Sequence, residues 1–123
     1  MLETGIRRLL EDAVNTSCKL AIVMVYAEQE GTSTTPKQMS RRLCRDIWSI
    51  ETAMQELTEG GILAEDDGQY RLCPSPRHRE PLERLISVYD EPVYRQEIVE
   101  LLGDLDRYAP YRELMKNQVT IVS

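Results

Sequence analysis

Four basic side chains fall within nine residues of this 123-residue sequence, at Lys37, Arg41, Arg42 and Arg45. Such a cluster can neutralise phosphates along a nucleic acid backbone, and so hold a protein in register without reading the bases. Two interpretations are open. The cluster is either a phosphate-binding patch or a solvated helix face whose cations pair with nearby carboxylates.

The stretch that follows the cluster contains candidates for reading bases. Its apolar residues recur at helical spacing, at Ile50, Ala53, Met54 and Leu57. This spacing predicts a helix that is capped by Asp46 and runs to Gly60. The predicted solvent face carries Trp48, Ser49, Glu51, Thr52, Gln55 and Glu56. Of these, Ser49, Thr52 and Gln55 have the hydroxyl and amide groups that hydrogen-bond to base edges in the major groove.

Trp48 stands beside these polar residues, near the start of the same predicted helix. A tryptophan in this position is either a partly buried packing residue or an anchor that a protein partner buries in an interface. The sequence alone leaves both interpretations open.

Residues suited to catalysis or metal binding are sparse. The sequence has no GxSxG elbow, and its glycines are too scattered for a phosphate-binding loop. His78 is the only histidine and is expected at the surface near a helix start, and there is no CxxC pair. The cysteines, Cys18, Cys44 and Cys73, are predicted to be small core residues of a reduced protein. We therefore expect no enzymatic activity, no metal site and no cofactor.

Acidic residues outnumber basic ones by 21 to 15, which gives a net charge of −6. A protein with this charge needs a local basic face to bind nucleic acid, and residues 32–61, which contain the basic cluster, carry four charges of each sign. The longest apolar run, residues 20–25, is too short to cross a bilayer, and the N-terminus lacks a signal-peptide pattern. These observations predict a cytoplasmic protein that does not associate with a membrane.

Further elements are predicted before the basic cluster. An apolar stripe over residues 6–14 predicts an N-terminal helix, and the very apolar stretch 18–29 predicts a central one. The polar residues 32–35 are expected to form a loop. A capping-box pattern at residues 35–38, with a proline in the first helical position, then predicts the start of a short helix.

A hairpin and a helix are predicted after these elements. Two short stretches, residues 62–65 and 69–72, flank an Asp-Gly pair and predict a β-hairpin with that pair at its turn. Beyond the hairpin, Pro81 fits the first turn of another helix, which Pro92 is expected to end.

The C-terminal part is also predicted to be mainly helical. Residues 93–105 form one predicted helix and residues 108–115 a shorter one, while residues 119–122 form either a frayed tail or a strand added to a sheet edge. The apolar stripes over 6–14 and 93–105 exceed what a small core needs. They either cover each other or form the interface of a homodimer, and we favour the homodimer.

Two helices followed by a hairpin, with a core helix before them, resemble the winged helix-turn-helix of MarR-type and ArsR-type bacterial regulators. The matching stretches are Met39-Ser40-Arg41-Arg42-Leu43, Ile50-x-x-Ala53-Met54-x-x-Leu57 and Gly61-Ile62-Leu63. A longer layout is similar to a group of small bacterial winged-helix proteins of undefined role. It includes Asn15-Thr16-Ser17-Cys18-Lys19-Leu20 and Tyr70-Arg71-Leu72-Cys73-Pro74.

Together, the pattern and the resemblance imply a mainly α fold with a small β-hairpin. The expected parts are an N-terminal helix (1–17) for packing or dimerisation, a winged helix-turn-helix domain (18–74) and a helical C-terminal extension (75–123) for dimerisation. The implied function is a DNA-binding transcriptional regulator. Lys37, Arg41, Arg42 and Arg45 would contact phosphates, and Ser49, Thr52 and Gln55 would read bases.

One feature departs from the regulator pattern. The expected wing tip is Glu65-Asp66-Asp67, where DNA-binding wings usually place basic residues, and three carboxylates there are repelled by phosphates. The alternative hypothesis is therefore a winged helix that no longer binds DNA and instead binds a protein partner, with Trp48 as the anchor.

Overall fold

Six helices and three short strands make up residues 2–105, the part of the chain that this computed structural model describes. The first five helices are α1 (Thr4–Asp12), α2 (Ser17–Glu28), α3 (Pro36–Leu43), α4 (Ile47–Glu59) and α5 (Pro76–Val88). A sixth, α6, covers residues 92–105. The strands are β1 (Ser33–Thr34), β2 (Leu63–Asp66) and β3 (Gln69–Leu72). The predicted mainly helical fold with a small hairpin is confirmed, while the predictions for 108–115 and 119–122 lie outside the described residues.

Side-chain caps determine where α2 and α3 begin. The hydroxyl of Thr16 accepts a hydrogen bond from the backbone N–H of Lys19 at 3.1 Å, which satisfies one of the free amides at the start of α2. At α3, Thr35 and Gln38 form the predicted capping box, and Pro36 occupies the first helical position. Each cap replaces water as the partner of a terminal amide and stabilises the helix by about 1 kcal/mol.

Cys44 makes the sharp turn between α3 and α4. Its backbone is left-handed, with φ of 54°, and its N–H donates to the carbonyl oxygen of Ser40 at the end of α3. This conformation leaves the side chain of Cys44 exposed, and Cys73 is exposed just after β3. The prediction that the cysteines are core residues is therefore wrong for both. Cys18 is half-buried.

The three strands form one antiparallel sheet in the order β1-β3-β2. In the hairpin, Asp66 pairs with Gln69, and the two residues between them, Asp67 and Gly68, have φ of 53° and 80°. Two successive positive φ values are what a two-residue type I′ turn requires. The predicted hairpin with Asp-Gly at its turn is therefore confirmed.

Strand β1 corrects the expectation that residues 32–35 form only a loop. Ser33 pairs with Arg71, and Thr34 pairs with Tyr70, on the open edge of β3. Tyr26 of α2 holds this edge, because its hydroxyl donates to the carbonyl oxygen of Tyr70 at 2.9 Å and lies 2.6 Å from the Thr34 hydroxyl. Burial raises the pKa of the Tyr26 phenol, so the side chain stays neutral in this position.

The hydrophobic core takes one face from each helix around it and nearly all sides of α2. The apolar residues at the predicted helical spacings are buried, including Ile6, Leu9, Leu10, Ala13, Val14, Ile50, Ala53, Met54, Leu57, Ile98, Leu102 and Leu105. Leu101 is only half-buried. Helix α2 packs against α3, α4 and β3, and α1 packs against α5. The predicted inward faces of α1 and α4 are thus confirmed, and that of α6 is confirmed except for Leu101.

Helix α5 begins five residues before the predicted start. Pro76, not Pro81, lies in its first turn, and Pro81 is inside the helix, where it gives up the hydrogen bond to the carbonyl of Arg77. The earlier start places His78 in the interior, where Nε2 accepts a hydrogen bond from Nε of Arg77 at 3.2 Å. The prediction of a surface histidine is therefore wrong.

We expect Tyr26→Phe to lower the free energy of unfolding by about 1–2 kcal/mol, because the buried carbonyl of Tyr70 and the hydroxyl of Thr34 lose their partner. Urea denaturation followed by circular dichroism measures this difference. Tyr94→Phe is the matched control, since it removes a half-buried phenol oxygen on α6. Equal losses from the two variants would contradict the role assigned to Tyr26.

Candidate nucleic-acid interface

The predicted site residues all lie on α3, on α4 and on the turn between them. Every one of them is exposed: Lys37, Arg41, Arg42, Arg45, Trp48, Ser49, Thr52 and Gln55. We call the area formed by these eight residues the α3–α4 surface. These residues face outward because the apolar faces of both helices turn inward, which leaves the polar positions of each helix exposed.

Asp46 determines how α4 begins. Its Oδ2 accepts a hydrogen bond from the backbone N–H of Ser49 at 2.9 Å, as predicted for an N-cap. This backbone hydrogen bond, together with one from the Ser49 side chain, lowers the pKa of the Asp46 carboxyl below its usual value of 3.8. The cap holds the first turn of α4 in one conformation, so Trp48 and Ser49 are presented at a fixed helix start.

A buried ion pair joins α4 to α2. Lys19 of α2 is only 6% exposed, and its Nζ lies 2.6 Å from Oε2 of Glu56 on α4 and 2.8 Å from Oδ1 of Asn15. Glu56 lies on the solvent face of α4, as the sequence predicts, and its charge is paired with this lysine. The sequence shows Lys19 as the single charge in an apolar helix, yet it does not show which carboxylate the lysine pairs with.

The basic cluster divides into paired and unpaired cations. Arg42 forms an ion pair with Glu28 of α2, with 3.5 Å between Nη2 and Oε2. Among the described residues, no carboxylate lies within ion-pair distance of Lys37, Arg41 or Arg45. The interpretation of a helix face paired with carboxylates therefore fits Arg42 alone, and three cations remain available for another partner.

A groove of about 490 Å³ separates α3 from α4, and Lys37 and Arg41 line it together with Glu51. Burial is the largest cause of the raised pKa of the Tyr70 phenol in the hairpin, and the negative charges of Glu65 and Glu51 raise it further. Glu51 therefore acts electrostatically on the hairpin as well as on this groove. The cations of this groove therefore act beside a carboxylate from α4.

Trp48 is 77% exposed, which excludes the interpretation that it is a packing residue. It lines a second groove, of about 390 Å³, on the side of α4 that faces the start of α2. Cys18 lies in the same groove, where burial raises the pKa of its thiol and the charge of Arg45 acts in the opposite direction.

The hairpin tip is acidic and exposed. Glu65, Asp66 and Asp67 all face solvent, and Oε1 of Glu65 accepts a hydrogen bond from the N–H of Gly68 at 3.3 Å. Among the described residues, no basic side chain forms an ion pair with this tip. Its three carboxylates are therefore uncompensated, as the sequence predicts.

Comparison with known proteins identifies no relative, so any functional proposal must rest on the geometry of this surface. No protein-family model, curated protein or solved structure matches the chain. Within residues 2–105, no helix has the length and apolar character needed to span a membrane. In the same range, no three His, Cys, Asp or Glu side chains are grouped so that they could hold a metal ion.

We expect the Lys19–Glu56 pair to respond asymmetrically to mutation. Glu56→Ala leaves a buried ammonium with only Asn15 as its partner, and should lower the free energy of unfolding by about 2 kcal/mol. Lys19→Met leaves a half-exposed carboxylate that water solvates, and should cost less than about 1 kcal/mol. Glu59→Ala, at an exposed position near the end of α4, is the control. The reverse order in urea denaturation would contradict the burial argument.

We expect the stability difference between the wild type and Asp46→Asn to depend on pH. Because the folded pKa of Asp46 is lowered, the extra stability from its ionised form is present above the unfolded pKa and is lost as pH falls through the folded pKa. The difference should be constant above about pH 5 and disappear in more acidic solution. Denaturation at several pH values measures it, with Asp12→Asn as control. A difference that persists in acid would contradict this account.

Proposed function

We propose that residues 18–74 form a winged helix-turn-helix and that the protein is a DNA-binding transcriptional regulator. The order helix, strand, helix, helix, hairpin supports the winged helix, as does the pairing of β1 with β3. One observation carries the DNA-binding proposal. Three exposed cations without ion-pair partners, Lys37, Arg41 and Arg45, lie on α3 and on the turn that leads into α4, whose exposed side carries hydroxyl and amide groups.

In this proposal, α4 enters the major groove with its N-terminal half against the base edges. Ser49, Thr52 and Gln55 are the base-reading residues, because they lie on the exposed side of the helix and can donate or accept hydrogen bonds. Glu51 is compatible with this role where the opposite base is cytosine, whose amino group donates to a carboxylate. The caps and the Lys19–Glu56 pair hold the helix in position before DNA binds.

The electrostatics restrict the phosphate contacts to one side of the domain. Lys37, Arg41 and Arg45 each neutralise a phosphate, whereas Arg42 must first leave Glu28 and contributes less. The hairpin tip stays away from the backbone, because its carboxylates are repelled by phosphates. Three phosphate contacts correspond to a slope of about −2.7 per subunit for the logarithm of the affinity against the logarithm of the salt concentration, and to about −5.4 for a dimer.

The regulator is proposed to act as a homodimer. Val93 and Val99 of α6 are exposed apolar side chains in the predicted dimerisation extension. In a two-fold dimer formed through this extension, the two α4 helices would lie about 34 Å apart. This separation would place them in successive major grooves on one face of the duplex. The proposed operator is therefore a palindrome with half-sites about one helical turn apart.

We expect the double variant Lys37→Ala/Arg41→Ala to bind operator DNA at least about tenfold more weakly, with a salt slope smaller by about 3.6 for the dimer. The DNA is obtained by selection from random oligonucleotides, and affinity is measured by fluorescence anisotropy between about 50 and 200 mM salt. Arg79→Ala, which removes a charge from α5, is the control. Selection without enrichment, or equal effects from both variants, would contradict the proposal.

The acidic hairpin tip favours a second candidate function, that of a protein-interaction module for a basic partner. In that function Trp48 is the anchor, because exposed tryptophans are common among the residues that dominate binding energy. Neutralising the tip with Glu65→Gln, Asp66→Asn and Asp67→Asn separates the two functions. The triple variant should bind DNA more tightly if the protein is a DNA-binding regulator, and should bind a basic partner more weakly if it is an interaction module.

A further inference from the structure

Trp48 is an isolated apolar side chain on a polar surface. Besides Trp48, the exposed large hydrophobic residues among 2–105 are Val93 and Val99, and both lie on α6. On α4, the neighbours of Trp48 in the groove toward α2 include Ser49 and Thr52. With 77% of its surface exposed among hydroxyl groups, the Trp48 ring is available for contact with a molecule outside the chain.

The surroundings of Trp48 favour DNA over a protein. Tryptophans that anchor protein interfaces lie near the centre of a patch that excludes water when the partner binds. Here most of the adjoining residues are polar, among them Ser49 and Thr52. An aromatic ring beside hydroxyl groups is suited to a mixed polar and apolar target, such as the floor of a major groove.

One apolar group is available in the major groove of DNA, and it is the 5-methyl group of thymine. Trp48 is the second residue of α4, so it belongs to the end of the helix that would approach the bases. Its indole ring is wide enough to cover a methyl group, while Ser49, the next residue, can hydrogen-bond to the same or the adjacent base pair.

We propose that Trp48 is a specificity-determining residue that selects thymine through contact with its 5-methyl group. This inference rests on the proposed DNA-binding function and adds the class of base pair that the site requires. Each half-site of the operator then contains a thymine opposite Trp48, and burial of its methyl group contributes about fourfold in affinity.

The experiment replaces the thymines of the selected operator one at a time by deoxyuridine, which removes only the methyl group. With the wild type, we expect one position per half-site at which this replacement weakens binding by about fourfold. With Trp48→Ala the same replacement should have no effect, and with Trp48→Phe part of the effect should return. Because Trp48 is exposed, these variants keep the core intact.

Trp48 is also the only tryptophan of the chain, so its fluorescence reports on its own environment. Operator DNA should quench or shift this emission. If selection yields no bound DNA, the proposed function itself fails. If DNA binds, three results would overturn the inference about Trp48: no position sensitive to the methyl group, a sensitivity that survives in Trp48→Ala, or an unchanged emission. In that case a protein partner becomes the expected contact of the Trp48 ring.

Discussion

The rest of the structure is arranged around α2, because this helix is apolar on almost every side. A helix without a polar face cannot lie at a surface and must be covered all round. Helices α3 and α4 and strand β3 supply that cover. The two polar side chains that α2 buries are used for attachment. Lys19 in its first turn holds α4 through Glu56, and Tyr26 in its last turn holds the sheet through Thr34 and Tyr70.

These two attachments explain how a chain of net negative charge can present a basic area. The apolar faces of α3 and α4 pack against α2, so the polar residues of these two helices face solvent. Two of the negative charges nearest to that outside face are already paired, Glu56 with Lys19 and Glu28 with Arg42. Lys37 and Arg41 of α3 and Arg45 of the turn keep their charges without an ion-pair partner, while three uncompensated carboxylates lie at the hairpin tip.

Much of the fold follows from local sequence signals. Helical spacing predicts which faces of α1, α4 and α6 are buried, the capping box predicts the start of α3, and the Asp-Gly pair predicts the hairpin. Strand β1 could not be predicted, since its two residues are too few to show alternation and are held by a tyrosine from another element. The left-handed Cys44 and the proline inside α5 were also missed, because packing of the surrounding helices overrides the local preference at both positions.

The candidate site could be predicted as a set of residues but not as an electrostatic environment. Exposure of Ser49, Thr52 and Gln55 follows from the period of α4. The pairing of Arg42 with Glu28 depends on how α3 packs against α2, which no spacing within either helix encodes. The exposure of Trp48 is a similar case, because helical position alone does not decide whether a large ring folds back onto a neighbouring helix.

The pairing of β1 with β3 has a consequence for the order in which the chain folds. Thr34 and Tyr70 are neighbours in the sheet, although α3, α4 and β2 all lie between them in sequence. Bringing them together carries the entropy cost of closing that long loop, which is repaid only when the helices within it are already packed. The pairing of β1 with β3 therefore depends on the packing of the helices between them, whereas α3 and α4 contact each other across a short turn.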